Sequence, residues 1–293
     1  MDSSLVKYRL QSNVFVRMEE NNPEKPKRVV FLSVEGAVTE VQYFKHLGEH
    51  IIKNNDTVLH VEVLQRKRND GHSSPEHVIE LLNEYMEVRD KELPELWMKR
   101  LKNDYSQEVI AQLITKDLDA DLSKTEHEIC DALLIAGIDL QYRKFLKGIS
   151  STDDRDIVAA IIDRDGGEGG RSRKIIESCI TESSHKGYRL FLTNPCFEFW
   201  LLLHLCDVEV EYADKQADLL KNETVSNQHT YVSREVSNRA GHAKNINKKK
   251  FCDYYLPNIL RAIEGAKTFA TELLDILDNV GTNLPDLLHE LGY

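Results

Sequence analysis

The chain lacks the features that would carry it across or into a membrane. Its opening, MDSSLVKYRLQSNVFVRMEE, holds no apolar stretch of the ~7 to 15 residues that a secretory signal needs, and nowhere do about 18 apolar residues run together. A cytoplasmic protein with no membrane partner is expected. Cysteine is scarce and scattered: Cys130, Cys179, Cys196, Cys206 and Cys252 are five in number, and no two form a CxxC pair. Such a set supports neither a disulfide framework nor a structural zinc site. No HExxH or comparable spacing links His185, His204, His229 and His242, which leaves zinc-hydrolase chemistry without support. Positive charge is also short, with 38 Lys plus Arg against 49 Asp plus Glu and a net charge of −11. That balance argues against a general coat for nucleic acid. A polyanion can be engaged only through a local basic surface or through bound cations.

What is present reads as an α/β protein. The 293 residues suffice for one large domain or two of ordinary size. Residues 1–27 form an extended, charged lead-in to Arg28–Val34 (RVVFLSV), a β-branched run expected as a buried strand. Apolar residues at helical spacing follow in Thr39–Lys53, and Val58–Leu64 alternates as a second strand. Strand, helix, strand implies a parallel sheet with helical crossovers. Pro75 suits the first position of the next helix. Residues 91–148 read as a helical insertion between two segments of the core, 28–90 and 149–206. The sheet resumes at Ile157–Ile162 and again at Tyr188–Thr193, with a helix from Ser172 to Ser183 between them. Residues 207–250 are expected to be irregular and polar, and Pro257–Asp278 to be one amphipathic helix; together 207–293 make a basic segment followed by C-terminal helices.

Carboxylates recur where these strands end. Glu35 follows the first, Asp163 and Asp165 the third, and Glu198 lies just beyond the fourth. In an open parallel sheet, ligands bind at that edge. Mg²⁺ takes oxygen ligands, usually one or two carboxylates plus waters and phosphate oxygens, and separate strand ends can supply them. Each piece alone has a plainer reading, since a DxD after a strand is often a solvated turn. Gathering several carboxylates without a cation costs like-charge repulsion, which Arg164 would relieve only in part.

The segment TNPCFEFWLLLHL is the second informative stretch. Asn194 is expected as an N-cap, Pro195 at the first helical position, and the turns beyond are apolar on nearly all sides, so the helix should be buried. Glu198 is anomalous there, a metal ligand or the partner of an Arg. His204 reads as a satisfied core histidine. The loop Gly166–Ser172 (GGEGGRS) lacks P-loop spacing and is either a phosphate-approaching lip or a hinge. Thr224–Lys250 holds six basic residues, including Arg234, Arg239, Lys244 and Lys248, against one acid, a local balance of +5. With Tyr231 and His242 interleaved, it is a candidate backbone-binding surface for nucleic acid, and Lys244 is the residue expected closest to the chemistry.

These residues together resemble a family. Glu35-Gly36 through Thr39-Glu40 to Tyr43-Phe44 fits the EGxxTExxYF opening of RloB-like proteins, and Asp163-Arg164-Asp165 with the segment from Asn194 to His204 resembles that family's DxD and NPCFExWLLLH signatures. The resemblance implies a Toprim-like fold, a parallel sheet flanked by helices. In it a Glu and a DxD bind Mg²⁺ for phosphodiester chemistry, in proteins of bacterial restriction and anti-phage loci often found beside an ATPase. Carried over by position, Glu35, Asp163 and Asp165 become metal ligands and catalytic residues. Glu40 becomes a second catalytic carboxylate, Glu198 a supporting or second-metal ligand, and Lys244 a neutraliser of transition-state charge. Arg164, Arg171, Arg239, Lys244 and Lys248 are the expected substrate-binding cations. The expected activity is a Mg²⁺- or Mn²⁺-dependent endonuclease acting on RNA or DNA, with an ATPase partner and homo-oligomers both allowed. The competing expectation is a non-catalytic sensor that controls the ATPase through residues 91–148.

Overall fold

In the computed structural model, residues 28–54, 59–64, 74–90, 95–106, 108–109, 113, 123–135, 156–166, 170–241 and 245–293 are described. The chain divides into two compact units, one built from residues 26–82 and 153–293 and the other from 1–25 and 83–152.

The larger unit is organised by a five-stranded sheet. Strands β1 (Arg28–Val34), β2 (Leu59–Val63), β3 (Ile157–Asp163) and β4 (Arg189–Asn194) are parallel, and the two-residue strand β7 (Gly281–Thr282) closes one edge antiparallel to β4. The order is β2-β1-β3-β4-β7. Between β4 and β7 in sequence, the short hairpin β5 (Thr224–Ser226) and β6 (His229–Thr230) stands apart from this sheet. The central strands are apolar because both faces are covered: Val29–Leu32 and Ala159–Ile162 are at most 1% exposed. Helix α1 (Thr39–Asn54) makes the crossover from β1 to β2, α2 (Pro75–Asp90) follows β2, and α5 (Arg173–Lys186) links β3 to β4. This mostly parallel sheet flanked by helices is consistent with a Toprim-like α/β fold.

The smaller unit contains α3 (Glu95–Asp104) and α4 (Lys124–Ile135), with a core of Leu101, Leu113, Ile129 and Leu133. The second helix opens with a reciprocal cap: the Glu126 amide donates to Ser123 Oγ at 3.3 Å and the Ser123 amide donates to Glu126 Oε2 at 2.6 Å. The part of the 91–148 insertion that is described is therefore helical, as expected.

Three local expectations are corrected. First, the apolar helix does not begin at Asn194-Pro195. Asn194 ends β4, its bond to Pro195 is cis, and Cys196 is the residue before helix α6 (Phe197–Leu205). Second, residues 207–241 are not irregular. They include short helices, the β5-β6 hairpin and α7 (Tyr231–Ala240), whose Val232, Val236 and Ala240 enter the main core. Third, the segment expected as one helix over Pro257–Asp278 is helical as α8 (Ile259–Ala266) and then breaks. Ala270 leaves the helix to pair with the edge strand, its amide donating to Val280 O at 3.1 Å and its carbonyl accepting from Thr282 N at 2.9 Å.

The outer edge of β4 is closed by side-chain mimicry as well as by β7. Asn283 Oδ1 accepts from the Leu192 amide at 2.7 Å, and Asn283 Nδ2 donates to Leu190 O at 3.0 Å, so one side chain satisfies two ladder positions of the strand. Helix α9 (Leu284–Glu290) then packs Leu284, Leu287 and Leu288 into the core. Close approach makes Gly281 irreplaceable: a Cβ there would overlap the Ala270 carbonyl, which is backbone and cannot swing aside. Gly281→Ala is expected to destabilise the fold by about 1–3 kcal/mol or more. Urea denaturation beside the parent measures this, and an unchanged midpoint would sink the close-contact argument.

Candidate active site

The site forms at the switch point of the sheet. The connection that leaves β1 runs to β2 on one side and the connection that leaves its neighbour β3 runs to β4 on the other, and such a divergence opens a crevice at the carboxyl ends of the strands. Glu35 stands at one lip, immediately after β1. Asp163, Arg164 and Asp165 stand at the other, where β3 ends. Parallel register brings them together: Val34 pairs with Ile161, the Glu35 amide donates to Ile161 O at 3.2 Å, and Glu35 Oε2 accepts from the Asp163 amide at 3.1 Å.

Two helix starts complete the crevice. Glu40 lies in the first turn of α1 and Glu198 in the first turn of α6. Aromatic packing ties the helices together just behind these carboxylates, since the rings of Tyr43 and Phe197 meet edge to face at 5.6 Å. Helix α6 has apolar residues on nearly every side because all of it but Glu198 and Leu205 is buried; Phe199, Trp200 and Leu202 are fully enclosed. Glu40 is held by the turn before it, with the Gly36 amide donating to Glu40 Oε1 at 3.0 Å. That carboxylate lies so close over Gly36 that a Cβ would displace it.

Electrostatics mark Asp163 as the centre. Burial pushes its carboxyl well above the usual aspartate range, and Glu40, Glu198 and Asp165 push the same way; only the Phe197 amide, donating to it, opposes them. Asp165 is raised too, by burial first and then by Glu198, against the pull of Arg164. Its backbone has a positive φ of 42°, fixed by its amide donating to Pro195 O at 2.8 Å and its carbonyl accepting from the Arg171 amide at 2.7 Å. Asp163, Asp165, Glu40 and Glu198 are thus brought together. Among the described residues, no group of three or more His, Cys, Asp or Glu side chains is placed to hold a metal ion.

Glu35 has a different partner. Arg171 grips its carboxylate with both terminal nitrogens, Nη1 donating to Oε2 at 2.8 Å and Nη2 to Oε1, and the same Nη1 donates to Asp163 O at 2.7 Å. Arg164 spends donors of its buried guanidinium on backbone carbonyls, with Nε donating to Leu277 O at 3.0 Å and Nη1 to Arg171 O at 2.8 Å, while its charge still favours ionised Asp165. The basic residues expected to bind substrate are dispersed. Arg239 pairs with Glu211 and touches Tyr212, and Lys248 pairs with Glu49. Lys244, His242 and the loop residues 167–169 lie outside the described residues.

A family model described as RloB-like protein matches residues 30–291. The chain belongs to the RloB-like family. No curated protein and no solved structure is significantly similar to it. Two further residues of this RloB-like chain border the crevice without having drawn a functional reading from the sequence. Buried Cys196 accepts a contact from Asn222 Nδ2 at 3.4 Å, and its thiol is raised by burial and by neighbouring Glu198 and Asp163. Tyr255, whose phenol is raised by burial and then by Glu198, belongs to a π-helical turn, Phe251–Tyr255. Such turns recur at functional sites, but no periodicity announces one. His204 is a satisfied core residue: Nδ1 donates to Trp200 O at 2.9 Å, leaving Nε2 to accept from the Tyr43 hydroxyl at 3.1 Å. Among the described residues no helix is long and apolar enough to cross a membrane.

Proposed function

We propose that this RloB-like chain is a divalent-cation-dependent nuclease, hydrolysing phosphodiester bonds of RNA or DNA as an effector of bacterial anti-phage defence beside a partner ATPase. One observation carries the reading: Asp163, Asp165, Glu40 and Glu198 crowd at the carboxyl edge of the sheet, where burial first, and then the neighbouring carboxylates, raise the Asp163 carboxyl well above its ordinary range. A cluster of this kind calls for a compensating cation, and hard oxygen donors suit Mg²⁺ or Mn²⁺. The donor chemistry fits. Asp163 with Glu40 or Glu198 would hold the ion, and an incomplete protein ligand set leaves the coordination that water and phosphate oxygens normally fill. Once bound, such an ion supplies Lewis acidity toward a phosphoryl oxygen and lowers the pKa of water.

The remaining work falls to the chain itself. The Phe197 amide fixes Asp163, the Gly36 amide fixes Glu40, and the enclosed helix α6 keeps Glu198 in place at the rim. Fixed groups need no reorganisation as charge develops, which is the main source of electrostatic catalysis. The ionised members of this cluster also repel a polyanion until a cation neutralises them, so substrate engagement depends on the ion.

The test uses purified full-length protein with total RNA and with plasmid DNA, in Mg²⁺, Mn²⁺ or EDTA. Cleavage of one polymer in the divalent ions alone is expected, lost in folded Glu35→Ala and Asp163→Ala. Cleavage that persists in EDTA or in both variants would overturn the reading. A second reading, a non-catalytic sensor module, is favoured by Arg171 occupying Glu35; folded protein that binds Mn²⁺ yet cuts neither polymer in any condition would establish it instead.

A further inference from the structure

We infer that Arg171 is a latch, an internal cation that occupies Glu35 and keeps it from the Asp163 cluster, and that a phosphate group is what draws the latch away. The inference rests on the divalent-cation reading of the site. Its starting point is that Glu35, the glutamate at the end of β1, has its carboxylate oxygens engaged by Arg171 and by the Asp163 amide. Three hydrogen bonds occupy most of the roughly four acceptor sites of that carboxylate, and the docked guanidinium sets its own positive charge against an arriving ion. While Arg171 is docked, Glu35 is committed to the loop after β3.

The latch is built to be movable in its head and fixed in its backbone. Its amide donates to Asp165 O at 2.7 Å and its carbonyl accepts from Arg164 Nη1 at 2.8 Å, so the residue stays at the mouth of the crevice whatever its side chain does. The Arg171 side chain keeps 19% of its surface exposed while Glu35 keeps 7%, which places the arginine between solvent and the carboxylate. Burial also lowers its guanidinium from the ordinary arginine range, the direction expected where desolvation weighs against the charged form.

Phosphate is the natural competitor. A guanidinium fork matches a carboxylate and a phosphate with the same two-pronged geometry, so Arg171 can exchange one for the other without losing hydrogen bonds. A phosphodiester arriving at the crevice would take Arg171, release Glu35 toward the ion, and gain a positioning contact in one step. Linkage then requires the converse: an ion that attracts Glu35 frees Arg171 for phosphate, and the two ligands bind cooperatively. In this assignment Arg171 is a positioning residue acting through Glu35. It protects a cluster of carboxylates from filling prematurely when no substrate is present.

The experiment is Mn²⁺ titration of the full-length protein by calorimetry, with and without inorganic phosphate, alongside thermal melting of each variant. Arg171→Ala is expected to tighten Mn²⁺ binding about tenfold or more, the coupling typical of contacting charged groups, and to lose the enhancement by phosphate that the parent shows. Arg173→Ala controls for simple loss of charge, because Arg173 pairs with Glu177 and Asp278 and touches no carboxylate of the crevice. Glu35→Gln should weaken Mn²⁺ binding more in the Arg171→Ala background than in the parent, because only there is the carboxylate free of the guanidinium. Equal tightening by Arg173→Ala, or a Glu35→Gln effect that is the same in both backgrounds, would overturn the latch. Arg171→Ala that melts like the parent and binds Mn²⁺ no more tightly would also overturn it while leaving the metal reading intact. Failure of every folded variant and of the parent to bind Mn²⁺ would overturn both.

Discussion

Asp163→Asn is expected to reduce divalent-dependent cleavage about a thousandfold, the loss of several kcal/mol of transition-state stabilisation, while leaving the ion-free protein as stable as the parent or more so. The two halves of that outcome have one cause. Asparagine keeps the shape of aspartate and an oxygen for the Phe197 amide, but removes the ionisable group that burial first, and then Glu40, Glu198 and Asp165, keep from losing its proton. On the proposed reading, a bound cation restores the stability that the parent loses to burying and crowding these carboxylates. The pH dependence follows from the direction of the shift. Asp163 and Asp165 both have raised pKa values in the folded chain, so above about 3.9, where the unfolded aspartates have lost their protons, the folded chain still binds them. Stability in EDTA therefore falls as pH rises from there through the folded pKa values. Melting temperature against pH in EDTA should decline less steeply for Asp163→Asn than for the parent, and Mn²⁺ should raise the parent more. A variant that melts lower than the parent at neutral pH without divalent ions would show that burial and repulsion at Asp163 do not burden the ion-free fold.

Much of this arrangement was legible from periodicity. The strands were placed within a residue or two because RVVFLSV and IVAAII are continuous apolar runs between charged turns, the mark of strands buried on both faces. Once parallel connectivity follows from the strand and helix alternation, the carboxylates after β1 and β3 must share an edge. The EGxxTExxYF and NPCFExWLLLH segments pointed to the family for the same reason: they surround that edge. What stayed hidden depends on partners far off in the chain. Arg171 meets Glu35 across 136 positions, and neither residue type nor spacing distinguishes that pairing from a substrate-binding arginine. The edge strand at Gly281–Thr282 is two residues long and exists only because Ala270 and Thr193 lie beside it. The helical break before Ala270 has the same origin, since an apolar pattern that continues past Ala266 does not reveal that the backbone is needed for pairing elsewhere. Asn194 reads as an N-cap from its residue type, whereas it is the last residue of β4, two positions short of the residue that precedes α6, and its side-chain Nδ2 donates to Ile276 O at 2.6 Å.

Trp200→Ala carries the largest expected cost in stability, about 3–5 kcal/mol for emptying a fully buried aromatic site. Trp200 is completely enclosed on α6, with its ring edge to face against His204 at 4.9 Å. The same packing keeps His204 neutral: burial drives its pKa down to about 3. An unfolded histidine titrates near 6.5, so the unfolded chain takes up a proton that the folded chain refuses as pH falls below that value. Stability is therefore lost as pH drops from about 6.5 toward 3, at up to about 1.4 kcal/mol per unit for this one residue. Emptying the Trp200 site admits water to the imidazole and moves its pKa back toward 6.5, which narrows that window. Urea denaturation between pH 4 and 7 should show a large fall in stability for Trp200→Ala with a flatter acid slope, a smaller fall for Trp200→Phe, and in His204→Gln the loss of this residue's share of the slope. An acid slope identical in the parent and His204→Gln would locate the titration elsewhere. Because Phe197 and Glu198 begin the helix that Trp200 anchors, Trp200→Ala should also weaken Mn²⁺ binding at temperatures where the variant remains folded, and Trp200→Phe should weaken it less.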